Sequence, residues 1–147
     1  MDSIFGHFQE ASRKLKLMIT LSPDSPEPYH LLGTMHEENG ELDKAAEYLF
    51  MSTYLSPPNI EKWLKVGDLS FERSMYSQAA YCFGRALKIA AYDPKIMLRR
   101  AEAFELGGQL KKAIMTYKRL LGISNAPEYI KKFAKLRYRR GDYGLCR

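Results

Sequence analysis

Along YHLLGTMHEEN at 29–39, the positions Tyr29, Leu32, Gly33 and His36 recur three or four residues apart. That spacing puts them on one face of a helix. Asn39-Gly40 then ends the helix, because glycine tolerates the left-handed backbone that closes a helical C-terminus. A second amphipathic run follows from about Glu41 to Leu55, and Ser56-Pro57-Pro58 stops it. The pattern predicts two helices joined by a tight turn. Gly33 is expected to face the neighbourhood of Ala45, the small residues letting the two helices approach closely.

The second-helix phrase is written four times: GHFQEASRKL at 6–15, GELDKAAEYL at 40–49, SMYSQAAYCF at 74–83 and GQLKKAIMTY at 108–117. Ala11, Ala45, Ala79 and Ala113 stand 34 residues apart each time. Gly6, Gly40 and Gly108 keep the same stride, with Ser74 in the remaining slot. Leu15, Leu49, Phe83 and Tyr117 follow the alanines by one helical turn. Ahead of the turns, Tyr29 and Trp63 are again 34 apart, as are Gly33, Gly67 and Ala101. A constant period of this length predicts an all-α solenoid, in which each helical hairpin buries its apolar face against its neighbours.

These residues resemble the tetratricopeptide repeat (TPR), which implies a right-handed superhelix of stacked antiparallel helix pairs. On this reading residues 1–147 form a single array. Residues 6–22 are the second helix of a preceding repeat, repeats occupy 26–59, 60–93 and 94–126, and 127–147 is a truncated repeat whose GDYGLCR begins a partner helix. Ser74 departs from the pattern at the turn glycine, Arg100 stands at a usual leucine, and Leu120 replaces a small residue. Leu120 predicts looser packing in the 94–126 hairpin. An array that starts and stops in mid-repeat, without a polar capping helix, reads as a segment of a longer one or an unusually short product.

Composition changes this picture little. The 147 residues suffice for a real core, and 46% hydrophobic with 27% charged residues argues against global disorder. Two cysteines, Cys82 and Cys146, are too few for a disulfide framework and suit a reducing compartment. The first twenty residues hold no continuous apolar run, so a soluble intracellular protein without signal peptide or membrane span is expected. A net charge of +6 permits acidic proteins or nucleic acid as partners without requiring either.

The chain offers no enzymatic chemistry to follow. HEEN at 36–39 lacks the second histidine of a zinc-protease motif, and His36 occupies the repeat's usual aromatic position, so it reads as packing. Cys82, beside Phe83, reads as a small core residue and not a nucleophile. P-loop, dinucleotide and paired-cysteine metal motifs are absent, and no cofactor is expected.

The TPR resemblance implies that the first helices line a partner-binding groove. Its candidate residues are His30, Glu37, Glu38, Lys65, Asp68, Glu72, Lys95, Arg99, Lys131, Lys135 and Arg139, with Glu27, Glu61 and Lys132 nearby. Acidic positions crowd the first two units and basic ones the last two, which would orient a partner segment. The alternative is that these are solvated helix faces. KKFAKLRYRR at 131–140 carries six cations and two aromatics and could touch nucleic acid, although Phe133 and Tyr138 are expected to pack on the neighbouring repeat. In the chaperone-binding type of TPR a five-residue carboxylate clamp is needed. Only Lys95 and Arg99 fit it, since His30, Thr34 and Lys65 occupy the other positions, so a chaperone-associated role is a minor alternative.

PEPYHLLGTMHEENGELDKA, EKWLKVGDLSFERSMYSQAAYCFGRAL and LRRAEAFELGGQLKKAIMTYKRLL, within about 23–122, resemble the array of the TPR-bearing subunits of transcription factor IIIC. The resemblance implies a nuclear scaffold that recruits initiation factor IIIB to RNA polymerase III promoters, alongside other factor IIIC subunits, with DNA contacts secondary. A TPR adaptor of another complex, in RNA processing or a ubiquitin ligase, is the alternative; in that case a cytoplasmic location is open.

Overall fold

A computed structural model describes residues 2–140, and the expected partner helix at 141–147, with Cys146, lies outside the described residues. Eight helices follow one another, and no strand occurs among the described residues. They are α1 (Asp2–Leu21), α2 (Pro26–Glu38), α3 (Leu42–Leu55), α4 (Ile60–Glu72), α5 (Tyr76–Ile89), α6 (Pro94–Leu106), α7 (Leu110–Ile123) and α8 (Pro127–Arg140). The helix expected from Glu41 to Leu55 is α3, with Glu41 at its N-cap.

Local chemistry sets the helix starts. Prolines open α2 and α6, where their missing N–H is not needed. The Asp93 carboxylate accepts from the backbone N–H of Lys95 at 2.9 Å and of Ile96 at 3.3 Å, capping α6. Asn59 serves α4 in the same way, accepting from the Lys62 N–H at 3.1 Å.

The α2–α3, α4–α5 and α6–α7 turns repeat one hydrogen-bond pattern. Glu41 N–H donates to the His36 carbonyl, Met75 to Ser70 and Gln109 to Phe104, each at 2.8 Å. The preceding N–H groups of Gly40, Ser74 and Gly108 close the shorter ring onto Glu37, Phe71 and Glu105. This double closure demands a left-handed residue. The φ values are +79° at Gly40, +61° at Ser74 and +80° at Gly108. Ser74 therefore adopts the glycine conformation at the turn where the repeat lacks its glycine.

The chain forms two compact units that divide within α4, between Leu69 and Ser70. In the first, α2 and α3 pack as an antiparallel hairpin with α1 beside α2. Leu32, Ala45, Ala46 and Leu49 fill its centre, and Trp63 meets Phe50 edge-on at 5.9 Å. The close approach at Gly33 is to Leu49, one turn beyond the expected Ala45: a β-carbon on Gly33 would lie 2.6 Å from Leu49 Cγ and Cδ2. Ala45 is buried too, but it is the leucine that uses the space.

In the second unit, α6 packs between α5 and α7, and α8 packs on α7. Ala79, Phe83, Ala101, Ala113, Tyr117 and Leu120 are its buried centre. Leu120 is accommodated without exposure, and α6 and α7 approach one another over less of their length than α2 and α3 do.

Candidate protein-interaction site

The first-helix faces are built by period. In the first unit, Glu37 on α2 and Lys65 on α4 form an ion pair with Oε1 and Nζ 3.7 Å apart. His30, Glu38 and Asp68 are exposed in the same unit. His36, six residues from His30, points inward. Its ring stacks parallel on Tyr48 at 5.4 Å and meets Phe8 edge-on at 5.4 Å, so it takes the aromatic role of the repeat. His36 Nδ1 lies 3.3 Å from Glu41 Oε1, while its buried Nε2 has no hydrogen-bond partner among the described residues.

In the second unit, Glu72, Lys95, Lys131 and Lys135 are exposed. Arg99 is half-buried: its guanidinium lies 4.5 Å from the centre of the Phe71 ring and 5.6 Å from that of Phe83. It is a packing residue as much as a surface charge. Lys132 Nζ pairs with Glu102 at 3.1 Å, and Arg139 Nη2 with Glu105 at 2.6 Å. Glu105 also accepts from the Tyr117 hydroxyl at 3.2 Å. Burial, with the nearby Glu105 and Glu102 carboxylates, pushes the Tyr117 phenol well above its ordinary range.

Glu102 and Glu105 were absent from the expected set, although Glu105 and Arg139 stand 34 residues apart, one repeat stride. Equal positions of successive first helices become lateral neighbours in a solenoid, so the stride itself was the signal. These two acids offset part of the positive charge expected on α6 and α8. Exposed pairs of this kind contribute about 0–1 kcal/mol each. Phe133 stacks on Tyr117 at 6.1 Å, as expected, whereas Tyr138 is 65% exposed. The expectation that Tyr138 packs on the neighbouring repeat is corrected: it lies five residues beyond Phe133, on a different side of α8.

Cys82 is a free, fully buried thiol that burial pushes up to about 12. Among the described residues no group of three or more His, Cys, Asp or Glu side chains could hold a metal ion. No helix among them is long and apolar enough to cross a membrane.

Solved structures share the fold. MamA from Desulfovibrio magneticus RS-1 aligns with a TM-score of 0.60 at 19% identity, covering 95% of this chain and 80% of its own. The Naa15/Naa10 complex bound to HypK-THB gives 0.76 at 20%, covering 93% and 22%. YrrB, described as a TPR protein with an unusual peptide-binding site, gives 0.60 at 10%, covering 96% and 73%. The chain has the fold of tetratricopeptide-repeat arrays.

No protein-family model matches the array. Curated relatives are similar in sequence. Human general transcription factor 3C polypeptide 3 is 26% identical over 118 residues, 80% of this chain and 13% of the relative. The 131 kDa subunit of transcription factor tau from Saccharomyces cerevisiae is 28% identical over 92 residues, 63% and 9%. Subunit sfc4 of transcription factor tau from Schizosaccharomyces pombe is 26% identical over 126 residues, 79% and 12%. The array therefore resembles factor IIIC subunits and spans about an eighth or less of their length.

Proposed function

We propose that this array is a non-enzymatic scaffold that binds protein partners in a factor IIIC assembly, and that it contributes to recruiting initiation factor IIIB at RNA polymerase III promoters. The observation carrying this reading is the similarity to factor IIIC subunits from human and two yeasts, which in the human relative extends over 80% of the chain. The repeat register of 26–59, 60–93 and 94–126 belongs to the same reading, as does a nuclear location.

Partner contacts are assigned to the first-helix faces of each unit. In the first unit these are His30, Glu37, Glu38, Lys65 and Asp68; in the second they are Glu72, Lys95, Arg99, Lys131, Lys135 and Arg139. Exposed charges on rigid helices suit steering and register more than raw affinity. DNA contact through 131–140 is secondary.

Purified factor IIIB subunits presented to the immobilised array test this reading. Saturable binding that weakens in Lys95→Glu/Lys131→Glu supports it. Absence of binding at low salt, or binding indifferent to that double change, overturns it.

A further inference from the structure

An open hollow of about 790 Å³ lies in the second unit, between α5 and α7 over α6, and shares none of the residues assigned to the first-helix faces. Its volume is within the range of small-ligand and peptide-anchor pockets. Two gaps in the helix surfaces contribute to it. Gly84 on α5 and Gly122 on α7 both line it, and neither presents a side chain.

Four cations line the hollow, Arg85, Lys88, Arg100 and Arg119, and no carboxylate does. Arg100 stands where the repeat usually has a leucine. Its Nε donates to the Ala80 carbonyl at 3.2 Å, and its guanidinium lies 5.0 Å from the centre of the Phe104 ring. The space that receives it is the missing side chain of Gly84, whose β-carbon would sit 2.9 Å from Arg100 Nη2. Burial, and then the like charge of Arg119, lower the Arg100 pKa from its ordinary value. Among the described residues no ion pair is seen for Lys88, Arg100 or Arg119. A half-buried guanidinium held beside a second one, without an anion, is an unfavourable arrangement that a bound carboxylate relieves.

The remaining lining decides what kind of anion fits. Leu87, Met97 and Ile123 supply apolar surface among the cations. A nucleic acid would meet the cations with its phosphates and could stack bases on Tyr81 and Tyr92, but it brings no aliphatic or flexible apolar group to cover Leu87, Met97 and Ile123. A protein segment carrying carboxylates on either side of a large apolar side chain brings both.

We propose that this hollow docks an acidic segment of a partner protein, with an apolar residue seated on Leu87, Met97 and Ile123 and flanking carboxylates paired with Arg100, Arg119 and Lys88. The site is separate from the first-helix faces and does not depend on them.

The probe is a fluorescein-labelled peptide in which a Phe-Leu pair is flanked by glutamates, titrated by anisotropy at low and physiological salt. Its glutamine counterpart and a labelled oligothymidine are run beside it. Lys88→Glu/Arg119→Glu changes two exposed side chains and is expected to weaken peptide binding about tenfold or more with an unchanged circular dichroism melt. Lys131→Glu/Lys135→Glu, on the first-helix face, is expected to leave it unchanged, and the glutamine peptide is expected not to bind. Equal affinity of the Lys88/Arg119 variant, equal binding of the glutamine peptide, or no binding at low salt overturns the proposal. Oligothymidine binding that the same two changes abolish would assign the hollow to nucleic acid and overturn it as well.

Discussion

Gly33 leaves room for Leu49: a β-carbon at position 33 would stand 2.6 Å from both Cγ and Cδ2 of the leucine, and 3.1 Å from its backbone nitrogen. Leu49 is buried in the α2–α3 hairpin, and its backbone nitrogen as well as its side chain stands in the way. Gly33→Ala gains up to about 1 kcal/mol of helix propensity, but the overpacking costs about 1–3 kcal/mol. A lower midpoint in urea unfolding is expected. An unchanged or raised midpoint would show that the hairpin can open around the added methyl.

Gly84→Ala should behave in the opposite way. The atom it meets is the far end of Arg100, a side chain that can swing outward. The change adds helix propensity inside α5, worth about 1 kcal/mol. Equal or higher thermal stability is expected, accompanied by weaker binding of the acidic probe peptide, because the Arg100 guanidinium is displaced. A large fall in melting temperature would contradict this account of the site.

Ser74 carries a left-handed backbone at φ +61° that its two counterparts entrust to glycine. For a residue with a β-carbon this conformation costs roughly 1–2 kcal/mol. Ser74→Gly removes that strain and adds some unfolded-chain entropy, so a net gain of about 0.5–1 kcal/mol is expected. Chemical denaturation measures it directly. Ser74→Ala, which keeps the β-carbon, should not gain.

Arg99 cannot be treated as a pure surface charge. Reversing it removes a cation from the Phe71 and Phe83 rings, an interaction of about 0.5–2 kcal/mol, and places a carboxylate against them. Arg99→Glu is therefore expected to lower the melting temperature, whereas Lys95→Glu is not. Scanning calorimetry on the two single variants separates the effects, and equal melting temperatures would remove Arg99 from the packing.

Glu41 makes the first turn sensitive to acid. The side-chain hydrogen bond from Asn39 at 2.7 Å, followed by the contact with His36, holds its carboxyl below the ordinary value of 4.5. A carboxyl lowered in the folded state stabilises it above the unfolded value, and that stabilisation fades as pH falls through the folded value. Protection of the amides around Asn39–Glu41, taken relative to their intrinsic exchange rate, should fall as pH drops below the ordinary carboxyl value of 4.5, and Glu41→Gln should flatten that dependence. A wild-type profile indistinguishable from Glu41→Gln would dismiss the coupling.

What the chain determined by itself is its periodic part. A 34-residue stride of alanines, glycines and large apolar residues dictates helical hairpins, because each side chain answers to neighbours three or four positions away and to the same slot one repeat along. His36, at the repeat's aromatic position, and Cys82, beside Phe83 on a helix, read as packing residues from the sequence, and both are buried. Tertiary structure alone decided the departures. Whether Arg100 would be a misplaced charge or part of a basic hollow depended on Gly84, Gly122 and Arg119 meeting across three helices, a relation that no local pattern encodes. The pairing of Glu105 with Tyr117 and Arg139 likewise emerged only when α6, α7 and α8 were packed. Period is a property of local geometry, whereas the company a charged side chain keeps depends on long-range packing.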